Sequence, residues 1–360
     1  MPFVLILDNG NYKVKAISGQ TKISFLHQIA PIMEHEYTQG LERYGAAQHG
    51  DFIRVDNEHY VVGETAQYYN VIRRQGAPRY TRSYYGVLFA AAVARAAASL
   101  GTRDAKGLYS DLKREGLHVM ASHASRDYAY RSNLENAILG KWDFISGGSR
   151  FTFKVHSVDT FEEPFGGYAN RAFVKSERGT WMTPHAHETV GIIDIGGGTC
   201  GTLVVAAGGE VQYTAAASSD QGMNNVVERL RNALKSSYPE FFSTARDIPL
   251  DRLQEAVRTG FYRGKGSKTN VQDLVDASVN PLLNEIYTMW MQQLGGGLGL
   301  DRVTLTGGGN ILLGEKVKEM LGFSLDAVEY ATGENTTMLE YANVQGAQRY
   351  RDLIQALQNA

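Results

Sequence analysis

Two apolar runs in this chain end in a single aspartate followed by glycine. Residues 4–7 lead into Asp8-Asn9-Gly10-Asn11-Tyr12, and residues 190–193 lead into Asp194-Ile195-Gly196-Gly197-Gly198-Thr199. A buried strand, a glycine turn and a returning strand can offer consecutive backbone N–H groups to a polyphosphate, because glycine permits an approach that a Cβ would block. The aspartate at the strand end would then face a hydrated Mg²⁺, which keeps most of its waters and is held by one or two carboxylates plus substrate phosphates. A third junction, Val303-Thr304-Leu305-Thr306-Gly307-Gly308-Gly309-Asn310, closes an alternating apolar strand ahead of a helix over 311–321. One Asp-x-Gly alone is an ordinary Asx turn or helix cap. Three strand-to-glycine junctions, two of them copies, point to a duplicated phosphate grip.

The elements that must carry these residues follow from periodicity. Residues 3–17 predict a hairpin of central strands around the first turn. The irregular stretch 21–85, rich in Tyr, His and Gly, reads as a small inserted subdomain with a strand pair at 52–55 and 59–62. An alanine-rich helix over 84–100 and a strand at 117–121 follow. A helix and a two-strand excursion between 134 and 160 return the chain to Glu162-Glu163-Pro164, and a further helix runs from Gly166 to about Phe173. Residues 176–188 are polar and broken by Gly and Pro, the composition of a linker, which places a domain boundary there. The second half repeats the plan, with strands at 190–195, 201–206 and 210–217, helices over 224–236, 248–259 and 271–294, and a strand at 302–306. A final helix over 346–357 is expected to return to the first domain. Strand-glycine-helix units in both halves imply an α/β fold of mixed sheets flanked by helices, with ligand at the carboxyl ends of the strands and between the halves.

The 360 residues exceed one ordinary core and fit two domains. With 36 basic against 38 acidic residues the net charge is −2, which gives no gross attraction to nucleic acid or membrane. The single cysteine, Cys200, cannot pair within the chain, and no Cys/His cluster has zinc spacing, so a reducing cytoplasm is expected. Cys200 reads as a small core residue, and His185 and His187 as exposed side chains. The first residues enter a strand without a basic segment, and no run reaches the length of a transmembrane helix.

The order Asp8…Lys15, Glu162-Glu163-Pro164, Asp194-Ile195-Gly196-Gly197-Gly198-Thr199 and Gly307-Gly308-Gly309 resembles the actin, heat-shock chaperone and sugar kinase ATPase superfamily. Within it the chain is most similar to the prokaryotic actin-like proteins of the ParM and archaeal type, and Tyr341-Ala342-Asn343-Val344-Gln345-Gly346-Ala347 resembles the segment before their last helix. The resemblance implies duplicated actin-like, ribonuclease H-like domains with a nucleotide cleft between them. Domain I is then 1–184 plus 340–360, with the insertion at 21–85. Domain II is 185–339, with a helical insertion at about 222–275. It also implies the cofactors Mg²⁺ and ATP, with ADP after hydrolysis. Asp8 and Asp194 become outer-sphere holders of Mg²⁺ on opposite walls. Gly10, Asn11 and Tyr12 on one side, and Gly196, Gly197, Gly198 and Thr199 on the other, cradle the β- and γ-phosphates. Gly307, Gly308, Gly309 and Asn310 lie against the adenosine and α-phosphate. Lys15 contacts a phosphate by family spacing, although strand alternation puts Lys13 on the same face. Glu163 positions the attacking water, since phosphoryl transfer to water needs an in-line acceptor, with Glu162 as the alternate. Arg252 and Glu255 flank the base, with Arg229 and Glu228 as rivals.

The expected function is a filament-forming ATPase that closes around Mg-ATP, assembles head to tail and loosens on hydrolysis. Its expected use is to position plasmid or other DNA through a DNA-binding adaptor protein, without direct nucleic-acid or membrane contact. A small-molecule kinase of the same superfamily and a non-filament membrane-adaptor homologue are the alternatives. The kinase lacks a second constellation for a polyol. For the adaptor, residues 352–360 carry no basic or aromatic membrane face.

Overall fold

The computed structural model describes residues 2–44, 50–72, 74, 77–239, 248–264 and 266–358. The chain forms two compact units, Met1–Gly166 joined by Ala347–Ala360, and Gly167–Gly346.

In the first unit, β1 (Phe3–Asn9), β2 (Lys13–Ser18) and β3 (Thr21–Leu26) make an antiparallel meander. β4 (Ile29–Ile32), α1 (Glu34–Tyr44), β5 (Phe52–Val55) and β6 (Glu58–Val62) follow. A π-helical turn, Arg82–Gly86, runs into α2 (Val87–Ala96), and α3 (Ser110–Glu115) leads to β7 (Leu117–His123). After α4 (Arg131–Ile138), β8 (Gly140–Ser146) turns back into the long β9 (Ser149–Glu162). One nine-stranded sheet results, in the order β3-β2-β1-β7-β9-β8-β5-β6-β4. The stretch expected as a separate insertion therefore contributes strands to the main sheet. The first part of β9 pairs with β8 and its last part with β7, so one strand serves both regions. Nearly every residue of α2 is buried, and its alanines bring the helix close to the sheet while Phe89 packs edge-on against Trp142 at 5.0 Å.

α5 (Glu163–Ala172) starts where β9 ends, and the short β10 (Val174–Lys175) and β11 (Trp181–Met182) form a hairpin. The second sheet contains β12 (Val190–Ile195), β13 (Cys200–Val205) and β14 (Val211–Ser219). α6 (Met223–Ser237), α7 (Leu250–Thr259), a hairpin of β15 (Phe261–Gly264) and β16 (Ser267–Asn270), and α8 (Gln272–Gln293) then cover it. β17 (Arg302–Thr306), α9 (Asn310–Leu321) and β18 (Val328–Tyr330) complete the unit before α10 (Ala342–Gln358). α6 buries Met223, Val226, Val227, Leu230 and Leu234, the three-to-four spacing of an amphipathic helix.

The sheet order here is β14-β13-β12-β17-β18, with antiparallel pairs on one side of β12 and parallel pairs beyond it. β3-β2-β1-β7-β9 in the first unit has the same sequence of directions. The duplication suggested by two aspartate turns is thus a duplication of five strands. α10 begins at Ala342, earlier than periodicity suggested, and its later residues belong to the first unit, where Tyr350 meets Phe165 edge-on at 5.4 Å. The linker-like residues 176–188 lie inside the second unit. His185 was expected to be exposed but is 8% exposed. Its Nδ1 sits 2.6 Å from Glu188 Oε2, and Glu188 is bidentate with Arg302 at 2.8 and 3.0 Å, so charge pairing draws this polar stretch onto the sheet.

Candidate functional site

The first half-site begins with sheet register. Asp8 on β1 is directly opposite Lys15 on β2, so the two side chains share a face and Lys15 Nζ reaches Asp8 Oδ2 at 3.0 Å. Lys13, which alternation left level with Lys15, falls beyond the last β1–β2 pair, Asn9 with Val14. Ser122, near the end of β7, donates to Asp8 Oδ1 at 2.8 Å. Asp8 is 1% exposed with a donor on each oxygen, and a carboxylate has lone pairs left over to accept from the waters of a cation.

The turn over residues 10–12 is held by its carbonyls. The Arg79 guanidinium donates to Asn9 O and, at 2.9 Å, to Asn11 Oδ1. His27 Nδ1 lies 2.6 Å from Gly10 O, and the His27 amide donates to Tyr12 O at 2.8 Å. A carbonyl only accepts, so Nδ1 carries the His27 proton. No peptide here is cis, and in a planar trans peptide the N–H points opposite to the C=O. Drawing the carbonyls of Asn9 and Gly10 toward Arg79 and His27 therefore aims the N–H groups of Gly10 and Asn11 the other way. A Cβ on Gly10 would lie 3.1 Å from Lys13 O and 3.7 Å from Lys15 Nζ, so glycine leaves this cradle open.

The two adjacent glutamates separate by environment. Glu162, the last residue of β9, is 6% exposed, accepts from Ser125 Oγ at 3.1 Å, and has its pKa pushed up by burial. Glu163, the first residue of α5, acts electrostatically on Arg79 and on Tyr85, which also feels Asp8.

The second half-site repeats the device with different donors. The loop from Gly196 to Thr199 is closed by the Gly196 amide on Thr199 O at 2.8 Å. The first amides of α6, from Met223 and Asn224, donate to Gly196 O and Gly197 O at 3.1 and 2.7 Å. The N–H groups of Gly197 and Gly198 consequently face away from α6. Gly222 makes the approach possible, since its Cβ would lie 2.6 Å from both Gly197 O and Thr199 N. Asp194, 7% exposed, accepts from Asn343 Nδ2 at 2.9 Å, and Asn343 Oδ1 accepts from Thr306 Oγ1 at 3.1 Å.

The third glycine cluster serves this arrangement more than it offers a surface. Gly307 has φ of 84°, and a Cβ there would stand 2.1 Å from Asp194 Oδ1. The Gly309 amide is spent on Ile195 O at 2.7 Å. Asn310 is 2% exposed and turns its Nδ2 to Thr306 O, tying the start of α9 to the end of β17. Gly308 alone of the four is partly exposed. Arg252 is exposed on α7, and Glu255 lies 3.7 Å from Arg263. The rival Arg229 donates to Ser278 O at 2.9 Å and Gln221 Oε1 at 3.1 Å, next to the Gly222 packing point, while Glu228 is paired with Arg231 near the surface.

Arg79, His27, Ser122 and Asn343 were not expected as site residues. The first two lie in the stretch without periodicity, and only the fold brings them under the turn. Ser122 lies at the end of β7, and Asn343 at the start of α10. Cys200 is buried with its pKa pushed up to about 12 by desolvation, as suits a packed thiol. Among the described residues no His, Cys, Asp and Glu group has the makings of a direct metal site, and no helix is long and apolar enough to cross a membrane.

The fold and paired half-sites define an actin-like protein. Residues 7–166 match the family described as actin like proteins, N terminal domain, and residues 192–319 match archaeal actin homologue MreB-like, C-terminal. Together these matches take in most of the chain and place it with the actin-like proteins. Ta0583, an archaeal actin homologue, is similar in structure with a TM-score of 0.71 at 15% identity, covering 97% of this chain and 99% of that one. Its complex with ADP gives 0.69 at 15% identity, covering 98% and 99%. A subunit of a 15-stranded ParM filament from Clostridium botulinum gives 0.65 at 14% identity, covering 97% and 98%. No curated protein sequence matches the chain.

Proposed function

We propose that the two half-sites grip one Mg-ATP, that the chain hydrolyses it, and that the nucleotide state governs assembly into head-to-tail filaments. The observation that carries this reading is the repeated turning of loop carbonyls inward, by Arg79 and His27 in one unit and by α6 in the other. Two glycine loops with amides aimed away from their supports are suited to the two ends of a polyphosphate. The residues also fit the cation. Asp8 and Asp194 are single carboxylates, each oriented by neutral or cationic donors, the pattern for holding a hydrated Mg²⁺. When bound, Mg²⁺ would neutralise charge on the β- and γ-phosphates.

Within this reading Lys15 adds positive charge beside the first turn, and Glu163 orients water for attack on the γ-phosphate. The intact triphosphate links the two units, and its cleavage releases the link. Each of the two compact units contributes one loop. A closed subunit with different surfaces at its two ends assembles as an open, heterologous polymer. The ADP complex of Ta0583 and the ParM filament support nucleotide binding and self-association in proteins of this fold. The further role in this reading is cytoplasmic positioning of plasmid or other DNA through an adaptor.

Light scattering, pelleting and phosphate release measured together after mixing the protein with Mg-ATP test the proposal. Polymer that forms with ATP and disperses as phosphate appears is the expected result. Turnover only on addition of a sugar or acid substrate would replace it with the kinase reading.

A further inference from the structure

Arg79 carries a guanidinium into the interior of the first unit, where it is 3% exposed. It ends a short 3-10 turn, Ala77–Arg79, outside every sequence motif. Its two Nη groups reach to either side of Gly10, donating to Asn9 O and to Asn11 Oδ1. Asp127 Oδ2 is 4.0 Å from Nη1 and is itself bonded by Tyr80 Oη at 2.7 Å. Burial works against the charge of the guanidinium, and the carboxylates of Glu163 and Asp127 favour it. A buried cation is costly unless its donors are filled; here each Nη has a turn acceptor closer than Asp127, while Nε has no partner among the described residues.

The geometry points to Arg79 as a positioning residue for phosphate recognition. It fixes the Asn9–Gly10 peptide, and with it the Gly10 N–H, from the protein side. This assignment rests on the nucleotide reading of the turn. Arg79 does not meet the phosphate itself, so its loss falls on ligands that reach the turn, ADP and ATP, and spares adenosine.

Equilibrium binding of ADP and a slowly hydrolysed ATP analogue, with Mg²⁺, and of adenosine by ligand-observed NMR, tests this in the full chain, Arg79→Gln and Arg79→Lys, alongside kcat and KM for hydrolysis. Arg79→Gln should bind both phosphorylated ligands about 10- to 100-fold more weakly, the scale of one or two charge-assisted hydrogen bonds, with adenosine unchanged. Arg79→Lys should fall between, keeping the charge but losing the two-pronged donor. If Arg79→Gln does not fold, Arg79→Lys carries the same comparison. Equal losses for adenosine and ADP would show a general packing role and overturn the assignment. Unchanged ADP affinity in the variants beside a binding wild type would overturn it alone. A wild type that binds no nucleotide would overturn the reading beneath it as well.

Discussion

At the scale of single residues, the neighbouring glutamates are divided by strand and helix. Glu162 closes β9 and points its Oε2 at Ser125, whereas Glu163 opens α5 within the field of Arg79 and Tyr85. A carboxylate that orients water must be ionised and close to the phosphates, and burial raises the pKa of Glu162 against that role. Glu163→Ala should therefore still bind nucleotide and assemble, while phosphate release slows by roughly 100-fold or more, within the usual range for a lost acid–base group. Glu162→Gln, nearly isosteric, should hydrolyse at close to the normal rate. A phosphate-release assay that reverses this order would exchange the two assignments.

At the scale of elements, one charge cluster holds the start of β12 and the parallel strands beside it. Glu188 is bonded by Arg302 on β17 and by His185, while Glu329 on β18 takes Arg171 at 2.8 Å and lies 3.6 Å from His185 Nε2. The Arg302 hydrogen bonds, with help from His185, lower the Glu188 pKa from 4.5 to about 2. A folded-state pKa below the unfolded value contributes stability above the unfolded pKa, and loses it as pH falls through the folded one. The second unit should accordingly lose stability between about pH 4.5 and pH 2. Glu188→Gln should flatten that part of the profile. Urea midpoints measured at neutral pH and near pH 3 check this, and an unchanged acid slope in the variant would remove Glu188 from the account.

At the scale of the whole molecule, the five-strand pattern of β3-β2-β1-β7-β9 and its repeat in β14-β13-β12-β17-β18 give each unit its own loop and its own aspartate. If one nucleotide engages both, both units gain stability from it. Saturation at 100 times Kd corresponds to about 2.7 kcal/mol of added stability. Trp142 reports on the first unit, and Trp181 and Trp290 on the second. In variants with tryptophan confined to one unit, Mg-ADP should delay urea unfolding of both reporters, and EDTA should cancel most of the gain. A delay confined to one reporter would mean that one half-site binds alone.

The sequence by itself determined the local pieces. The strands before Asp8, Asp194 and Gly307, the alanine-rich α2 and the amphipathic α6 were all legible, because hydrophobic period and glycine placement are properties of neighbouring residues. The order of motifs was also enough to identify the family. Only tertiary structure decided which lysine meets Asp8, since that depends on the β1–β2 register, and which glutamate is buried, since that depends on where β9 ends. Arg79, His27 and Ser122 came to the first loop from distant positions in the chain, where spacing carries no information, while Asn343 lay in a segment legible as a motif but not as a partner of Asp194. Residues 21–85 looked like a separate insertion because their pattern is irregular, yet β8 offered an edge to β5, and backbone hydrogen bonding extended the main sheet through them.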